Sequence, residues 1–157
     1  MIYSAGLRVG EAIRLKASDV LSDRGQIRVR SGKGKKNRYT VLAGQVLDVL
    51  RRYYRRRRPV GRLFPGRNPG GHMSERTARR IFNQAKKRAG INAQATLHTL
   101  RHSFATHLYK DGVDVRYIHE LMEHACTETT LRYVHVGRQA AKRVRSPLDD
   151  LGGVDNL

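Results

Sequence analysis

Residues 97–136 contain six of the chain's seven histidines, and their pattern constrains the fold more than any other segment. Apolar side chains recur there at helical spacing. A loop at 110–113 leads to a second predicted helix, which has Asp114 as its N-cap and ends near His124. A third short helix, capped by Thr127, is expected to present Tyr133. The predicted buried face of the first helix consists of Leu97, Leu100, Phe104, Ala105 and Leu108.

The reactive side chains of this segment are typical of metal-free chemistry on an anion. The candidate site residues are the potential nucleophile Tyr133, the imidazoles of His98 and His124 and the guanidinium of Arg101, with no carboxylate pair or cysteine cluster nearby. His98 and Arg101 lie one helical turn apart. A buried arginine needs an anionic partner, and a phosphate serves where no protein carboxylate does. The pattern therefore predicts a phosphate pocket beside Arg101.

Three short motifs resemble the C-terminal signature of the tyrosine recombinases, the phage-integrase and Xer-like family. The chain reads HTLRHSFATH from His98, then EH at 123–124, then LRYVHV with Tyr133 nine residues after His124. The resemblance implies an α+β, mainly helical catalytic-domain fold with a small antiparallel β-hairpin or sheet. It implies a catalytic domain over residues 1–148 and a flexible tail over 149–157. The family's N-terminal core-binding domain is expected to be absent, and Glu123 replaces the glycine that usually precedes the histidine.

The opening segment matches a second family motif, Y-x-x-G-L-R-x-x-E. Arg8 and Glu11 lie three residues apart, so we expect them on one helical face. From these two residues alone, an ordinary surface ion pair is the favoured interpretation. The resemblance implies that Arg8 is the first phosphate-binding arginine and that Glu11 helps to orient the site.

A β-hairpin with a basic turn is predicted next. Residues 26–30 and 38–42 each alternate between apolar and polar side chains. The first run places Ile27 and Val29 on one side of its strand, and the second places Tyr39 and Val41 on one side of its own. The linking residues 31–37, SGKGKKN, form a glycine-rich basic turn, for which a solvated loop is the simpler interpretation. The resemblance assigns a catalytic lysine to this turn: Lys33 aligns best and Lys35 is the alternative.

The charge balance favours a nucleic-acid partner. The chain has 32 Lys and Arg against 13 Asp and Glu, a net charge of +19, which an anionic polymer would compensate. A general basic protein is the alternative, whereas a membrane-surface protein is disfavoured because no long helix pairs a basic face with a broad apolar one. Six arginines at 51–58 form either a phosphate clamp or a solvated face. The predicted DNA-binding residues are Lys35, Lys36, Arg55, Arg56, Arg79 and Arg80.

A metal site is the main chemical alternative for so many histidines, and the spacing argues against it. His98 and His102 are four apart, but no third ligand follows at a usual spacing. His119 and His124 are five apart, one residue too far to share a helical face. We therefore expect no metal and no cofactor. Cys126 is the only cysteine, which excludes a disulfide and fits a reducing cytoplasm.

The resemblance implies a site-specific DNA recombinase or integrase that acts without metal through a 3′-phosphotyrosyl intermediate. Tyr133 would attack the scissile phosphate while Arg8 and Arg101 hold it. His98 would accept a proton, His124 would donate a hydrogen bond and Lys33 would protonate the leaving oxygen. The implied partner is double-stranded DNA, bound by a homotetramer. The alternatives are a catalytically inert DNA-binding fragment and a type IB topoisomerase, the latter disfavoured by the HTLRHSFATH run.

Overall fold

The structure, a computed structural model, describes residues 1–30 and 37–122. Within them the expected α+β, mainly helical fold with a small antiparallel sheet is confirmed. The predicted end of the second helix near His124, the Thr127-capped helix and the 149–157 tail lie outside the described residues. The helices are α1 (Ile2–Ala5), α2 (Val9–Arg14), α3 (Gly44–Arg57), α4 (Glu75–Arg88), α5 (Leu97–Lys110) and α6 (Val115–Met122). The strands are β1 (Val20–Leu21), β2 (Gln26–Val29) and β3 (Arg38–Val41).

The strands form an antiparallel sheet in the order β1-β2-β3. The sequence predicts a turn-rich loop over residues 19–25, and the structure has the two-residue strand β1 there. In β2 and β3, Ile27 pairs with Thr40 and Val29 pairs with Arg38. Directly paired residues lie on the same face of a sheet. Arg38 therefore lies on the face of Ile27 and Val29, both of which are buried.

Two apolar clusters meet at β3. One joins α1, α2, β2 and α3 around residues such as Leu7, Ile27 and Leu50. The other joins Val41 of β3 to α5 and α6, with Phe104 fully buried. The hydroxyl of Thr40, also in β3, donates a 2.8 Å hydrogen bond to the carbonyl of Ala5. This strand thus connects the N-terminal helices to α5 and α6.

Helical spacing predicts that Val46, Val49 and Leu50 share the buried face of α3, and the same spacing predicts an apolar stripe along α4. Three of the positions predicted to be apolar and buried are nevertheless exposed. Tyr39 in β3 is 41% exposed, and Val49 in α3 is 46% exposed. Val46 and Leu50 already occupy the narrow stripe that a surface helix buries, and Val49 lies to one side of it. In α4 no residue is buried, and Ile81 of its apolar stripe is 46% exposed. Among the described residues, no helix has the length and apolar character needed to cross a membrane.

The helix ends follow the local sequence signals. The sequence predicts a helix that is capped by Ser74 and ended by Gly90. In the structure, the side chain of Ser74 accepts a 3.1 Å hydrogen bond from the amide of Thr77 at the start of α4. Gly90, with φ +66°, follows the last residues of that helix, where the sequence placed its end. Asp114 begins α6: its carboxylate accepts a 2.8 Å hydrogen bond from the amide of Arg116. The sequence predicts these caps because each hydrogen bond joins residues only two or three positions apart.

Asp114 gives a pH-dependent contribution to stability. Hydrogen bonds from Arg116 lower the pKa of Asp114 from its ordinary value of 3.8 to about 2. The bond from the Arg116 side chain has the larger effect and that from its amide the smaller. Because the folded-state pKa is lowered, this contribution is present above about pH 4 and is lost as the pH falls towards 2. Asp114→Asn keeps an N-cap oxygen but has no charge to titrate. We expect the difference in unfolding free energy between wild type and Asp114→Asn, from urea titrations, to shrink from pH 5 to pH 2; a constant difference would contradict this.

Candidate functional site

The Glu11 carboxylate is surrounded by three arginines from three different parts of the chain. Its Oε1 accepts a 3.1 Å hydrogen bond from Nη1 of Arg8, and its Oε2 accepts one of 2.8 Å from Nη2 of Arg38. The Nη1 of Arg101 lies 3.8 Å from the same Oε2. The Glu11 side chain is only 13% exposed. We call Arg8, Glu11, Arg38 and Arg101 the arginine cluster.

The sequence predicts that Arg8 and Glu11 share one helical face, and this is wrong. Their contact arises from the N-terminal cap of α2. Arg8 is the N-cap residue, with extended backbone angles, and so precedes the helix. Glu11, three positions later, reaches back, and its Oε2 accepts a 2.7 Å hydrogen bond from the Arg8 amide. The cap fixes the carboxylate at the start of α2. Its fixed position allows more distant arginines to reach it.

Arg101 is buried inside the protein, with 3% of its surface exposed. Its Nη1 donates to the carbonyl of Gly6, and its Nη2 donates to the carbonyl of Met122. Gly6 has φ +61°, which turns the chain between α1 and α2. The guanidinium therefore joins this turn to the last described residue of α6.

The nearby carboxylate changes the argument that a buried arginine implies a phosphate. Glu11 provides Arg101 with a carboxylate at 3.8 Å, so burial of Arg101 alone does not require an external anion. The charge of the whole cluster is the stronger reason to expect a bound anion. Three guanidinium groups and one carboxylate have a formal charge of +2. Arg8, whose side chain is 47% exposed, makes this charge accessible to an anion in solution.

The structure brings only some of the predicted site residues together. Arg8, Glu11 and Arg101 are brought together in the arginine cluster. His98 lies in the first turn of α5 and is exposed, one turn before the buried Arg101. Within residues 1–30 and 37–122, no group of three or more His, Cys, Asp and Glu side chains is arranged to hold a metal ion. The predicted residues Lys33, Lys35, Lys36, His124 and Tyr133 lie outside the described residues.

Two basic surfaces carry the remaining predicted DNA contacts. In the C-terminal half of α3, Arg55 and Arg56 are exposed. Along α4, Arg79 and Arg80 are exposed and line an open groove. Arg79 also pairs with Glu75 at 3.4 Å. Exposure makes all four arginines accessible to a phosphate backbone, and their role in DNA binding stays a prediction. The groove is lined by Glu75, Arg76, Arg79, Arg80, Asn83, Gln84 and Lys87.

Sequence reasoning missed two arginine–carboxylate contacts beside the basic turn. Arg38, which follows the turn, contacts Glu11 across 27 positions of sequence. Arg30, which precedes the turn, contacts Asp19 with a distance of 2.8 Å from its Nε to Oδ1. Asp19 is 1% exposed and also accepts a hydrogen bond from Arg28. No local sequence signal pointed to Asp19, because its burial, which makes a charged partner necessary, depends on tertiary packing.

Comparison with known proteins agrees with the fold. A family model described as the phage integrase family matches residues 1–140. Tyrosine recombinase XerA of Pyrococcus furiosus is 36% identical over 160 residues, covering all of this chain and 54% of that protein. A crystal structure of XerA recombinase matches with a TM-score of 0.73 and 32% identity, covering 92% of this chain and 50% of the other. XerH site-specific recombinase, bound to its difH substrate before cleavage, matches with a TM-score of 0.69 and 28% identity over 80% of this chain and 38% of the other.

These matches cover 80–100% of the present chain but only part of the proteins compared. The chain spans about half the length of the relatives it matches. The family model covers 1–140 and therefore includes every residue that we singled out for the site. The strands, the helices and the sequence motifs all agree with that assignment. This chain belongs to the phage integrase family, whose relatives include the Xer tyrosine recombinases.

Proposed function

We propose that this chain is the catalytic part of a site-specific DNA recombinase or integrase that cuts and rejoins strands through a 3′-phosphotyrosyl intermediate. The observation that carries the proposal is the arginine cluster, a partly accessible site with a formal charge of +2 in a phage integrase family chain. A scissile phosphodiester gains negative charge on its non-bridging oxygens in the pentavalent transition state. Fixed guanidinium groups stabilise such charge.

In the proposed reaction, the Tyr133 oxygen forms a bond to the scissile phosphorus as the bond to the 5′-oxygen breaks. A phenol has a pKa of about 10, so its proton must leave during attack, and His98 is the proposed acceptor. Arg8 and Arg101 neutralise the phosphate, and His124 donates a hydrogen bond to it. Lys33 protonates the leaving 5′-oxygen. The phosphotyrosyl bond then permits religation to another strand, which carries out the exchange.

The proposed partner is double-stranded DNA, bound by a homotetramer in the cytoplasm. The net charge of +19 and the exposed arginines on α3 and α4 support DNA binding. The XerH recombinase, at 28% identity, was solved on its difH substrate, which supports a DNA substrate here by analogy. The single cysteine, Cys126, is consistent with a reducing compartment.

Covalent trapping tests this function directly. The protein is incubated in EDTA with a pool of nicked DNA duplexes whose sequence is randomised around the nick. Cleavage next to a nick releases a short oligonucleotide, so religation fails and the protein–DNA adduct accumulates. We expect a slow-migrating denaturing-gel band from wild type and none from Tyr133→Phe, because phenylalanine has no nucleophilic oxygen.

A DNA-binding control separates the competing functions. Wild type and Tyr133→Phe should bind the same pool equally in a native gel shift, with affinity that falls as salt rises. Binding without any adduct from wild type would contradict the proposed reaction and favour the inert DNA-binding fragment. An adduct that persists in Tyr133→Phe would show that another residue is the nucleophile.

A further inference from the structure

The guanidinium of Arg38 contacts Oε2 of Glu11, whereas that of Arg8 contacts Oε1. Arg38 is the first residue of β3 and pairs with Val29, which orients it to the buried face of the sheet. Its side chain is 10% exposed, and its Nη2 lies 2.8 Å from Oε2 of Glu11. The short distance and low exposure make this a charge-assisted hydrogen bond, stronger than a surface ion pair.

The Oε2 atom of Glu11 is shared between Arg38 and Arg101. The distance is 2.8 Å to Arg38 and 3.8 Å to Arg101. Coulomb attraction falls with distance, so Oε2 of Glu11 interacts more strongly with Arg38 than with Arg101. Without the Arg38 guanidinium, the carboxylate would be attracted mainly to Arg8 and Arg101. The formal charge of the cluster would fall from +2 to +1.

We propose that Arg38 is a positioning residue for strand cleavage, acting through Glu11. By holding Oε2 of Glu11, it limits neutralisation of Arg101 and preserves the positive charge of the cluster for the phosphate. This inference rests on the proposed function, in which Arg8 and Arg101 bind the scissile phosphate. Arg38 itself is not assigned a contact with DNA, in contrast to those two arginines.

The test compares Arg38→Gln with Arg30→Gln. Arg30 forms a 2.8 Å contact with a buried carboxylate, that of Asp19, at the other end of the same basic turn. Each variant therefore loses one positive charge and one arginine–carboxylate contact. Of the two substituted arginines, Arg38 contacts Glu11 and Arg30 does not. We measure the rate of adduct formation in single turnover, with saturating nicked DNA selected from the trapping experiment. We expect Arg38→Gln to slow this rate by about 10- to 100-fold, as supporting residues around a reactive site commonly do, and Arg30→Gln to leave it near that of wild type.

A neutral substrate distinguishes a charge effect from a general structural defect. A methylphosphonate at the scissile position replaces one charged oxygen, so its cleavage needs less positive charge. If Arg38 maintains the charge of the cluster, the defect of Arg38→Gln should become several-fold smaller on this substrate. A structural defect that only reduces the active fraction would lower the final amount of adduct equally on both substrates and leave the single-turnover rate constant unchanged. Arg38→Lys should retain a rate within about threefold of wild type, because it keeps a charged donor for Glu11.

The outcomes separate this inference from the proposed function. An adduct from wild type, with equal rates in Arg38→Gln and Arg30→Gln, overturns the role of Arg38 and leaves the recombinase function intact. Equal defects of Arg38→Gln on both substrates also overturn it. If Arg38→Gln fails to fold, Arg38→Lys provides the test. A folded Arg38→Lys protein that forms the adduct much more slowly than wild type, on both the phosphodiester and the methylphosphonate DNA, contradicts the inference. Failure of wild type to form any adduct on bound DNA overturns the proposed function and this inference together.

Discussion

Gly6→Ala should lower the free energy of unfolding by about 2–5 kcal/mol, combining left-handed backbone strain of about 1–2 kcal/mol with overpacking of about 1–3 kcal/mol. The φ angle of Gly6 is +61°, a region that alanine adopts at a cost. A Cβ added at this position would lie 2.6 Å from Cδ1 of Phe104, which is fully buried and has little room to move. Any shift of the turn would also displace the carbonyl that accepts a hydrogen bond from Arg101. We therefore expect both stability and adduct formation to decrease, measured by urea unfolding and by covalent trapping.

Gly25→Ala is the matched control for this substitution. Gly25 has φ +59°, nearly the same as Gly6, but a Cβ there would have no atom within 4 Å. It should therefore show the backbone cost alone, about 1–2 kcal/mol. Phe104→Leu should reduce the extra cost of Gly6→Ala in a double-mutant cycle, because it removes the ring that the new Cβ meets. Equal losses for Gly6→Ala and Gly25→Ala would show that the contact with Phe104 is unimportant.

Glu11→Gln should cost about 3–5 kcal/mol of unfolding free energy, the range for removing one partner of a buried ion pair. The substitution keeps the size of the side chain but removes the only carboxylate of the cluster, which leaves three guanidinium groups close together. Arg101, at 3% exposure, has little access to water that would screen the repulsion. An added anion should compensate in part. Sulfate should therefore raise the melting temperature of Glu11→Gln more than that of wild type, beyond the effect of sodium chloride at equal ionic strength.

Glu75→Gln provides the comparison for Glu11→Gln. Glu75 also pairs with an arginine, Arg79, but at 3.4 Å and with 44% of its side chain exposed. Surface pairs of this kind contribute about 0–1 kcal/mol, so Glu75→Gln should change stability little. A similar small loss in Glu11→Gln, with no specific effect of sulfate, would argue that the cluster is not a strained concentration of positive charge.

The local sequence alone predicted where several elements begin and end. Ser74 caps α4, Gly90 follows it and Asp114 caps α6, all as expected. The alternating runs on either side of the basic turn form β2 and β3. Each of these features depends on residues within a few positions of one another or on a simple periodic pattern. Hydrogen bonds and backbone angles of this range are set by the residue types themselves.

Which residues are buried was less predictable, because it depends on what packs against each face. The periodic pattern placed Val49 with Val46 and Leu50, but only the latter two are buried. The apolar stripe of α4 is equally clear in the sequence, and none of its residues is buried in the structure. Periodicity identifies an apolar face but not its width or its partner.

The candidate site shows the same division most clearly. The motif that includes Arg8 and Glu11 is visible in the sequence, and their contact needs only the cap of α2. The contact of Arg38 with Glu11 depends on the register of β3, and that of Arg101 with Gly6 spans 95 positions. The sequence determined the chemical identity of these side chains and the local turn that fixes Glu11. Only tertiary packing decided that three guanidinium groups converge on one carboxylate, because the strand and helix that carry two of them are held there by long-range apolar burial.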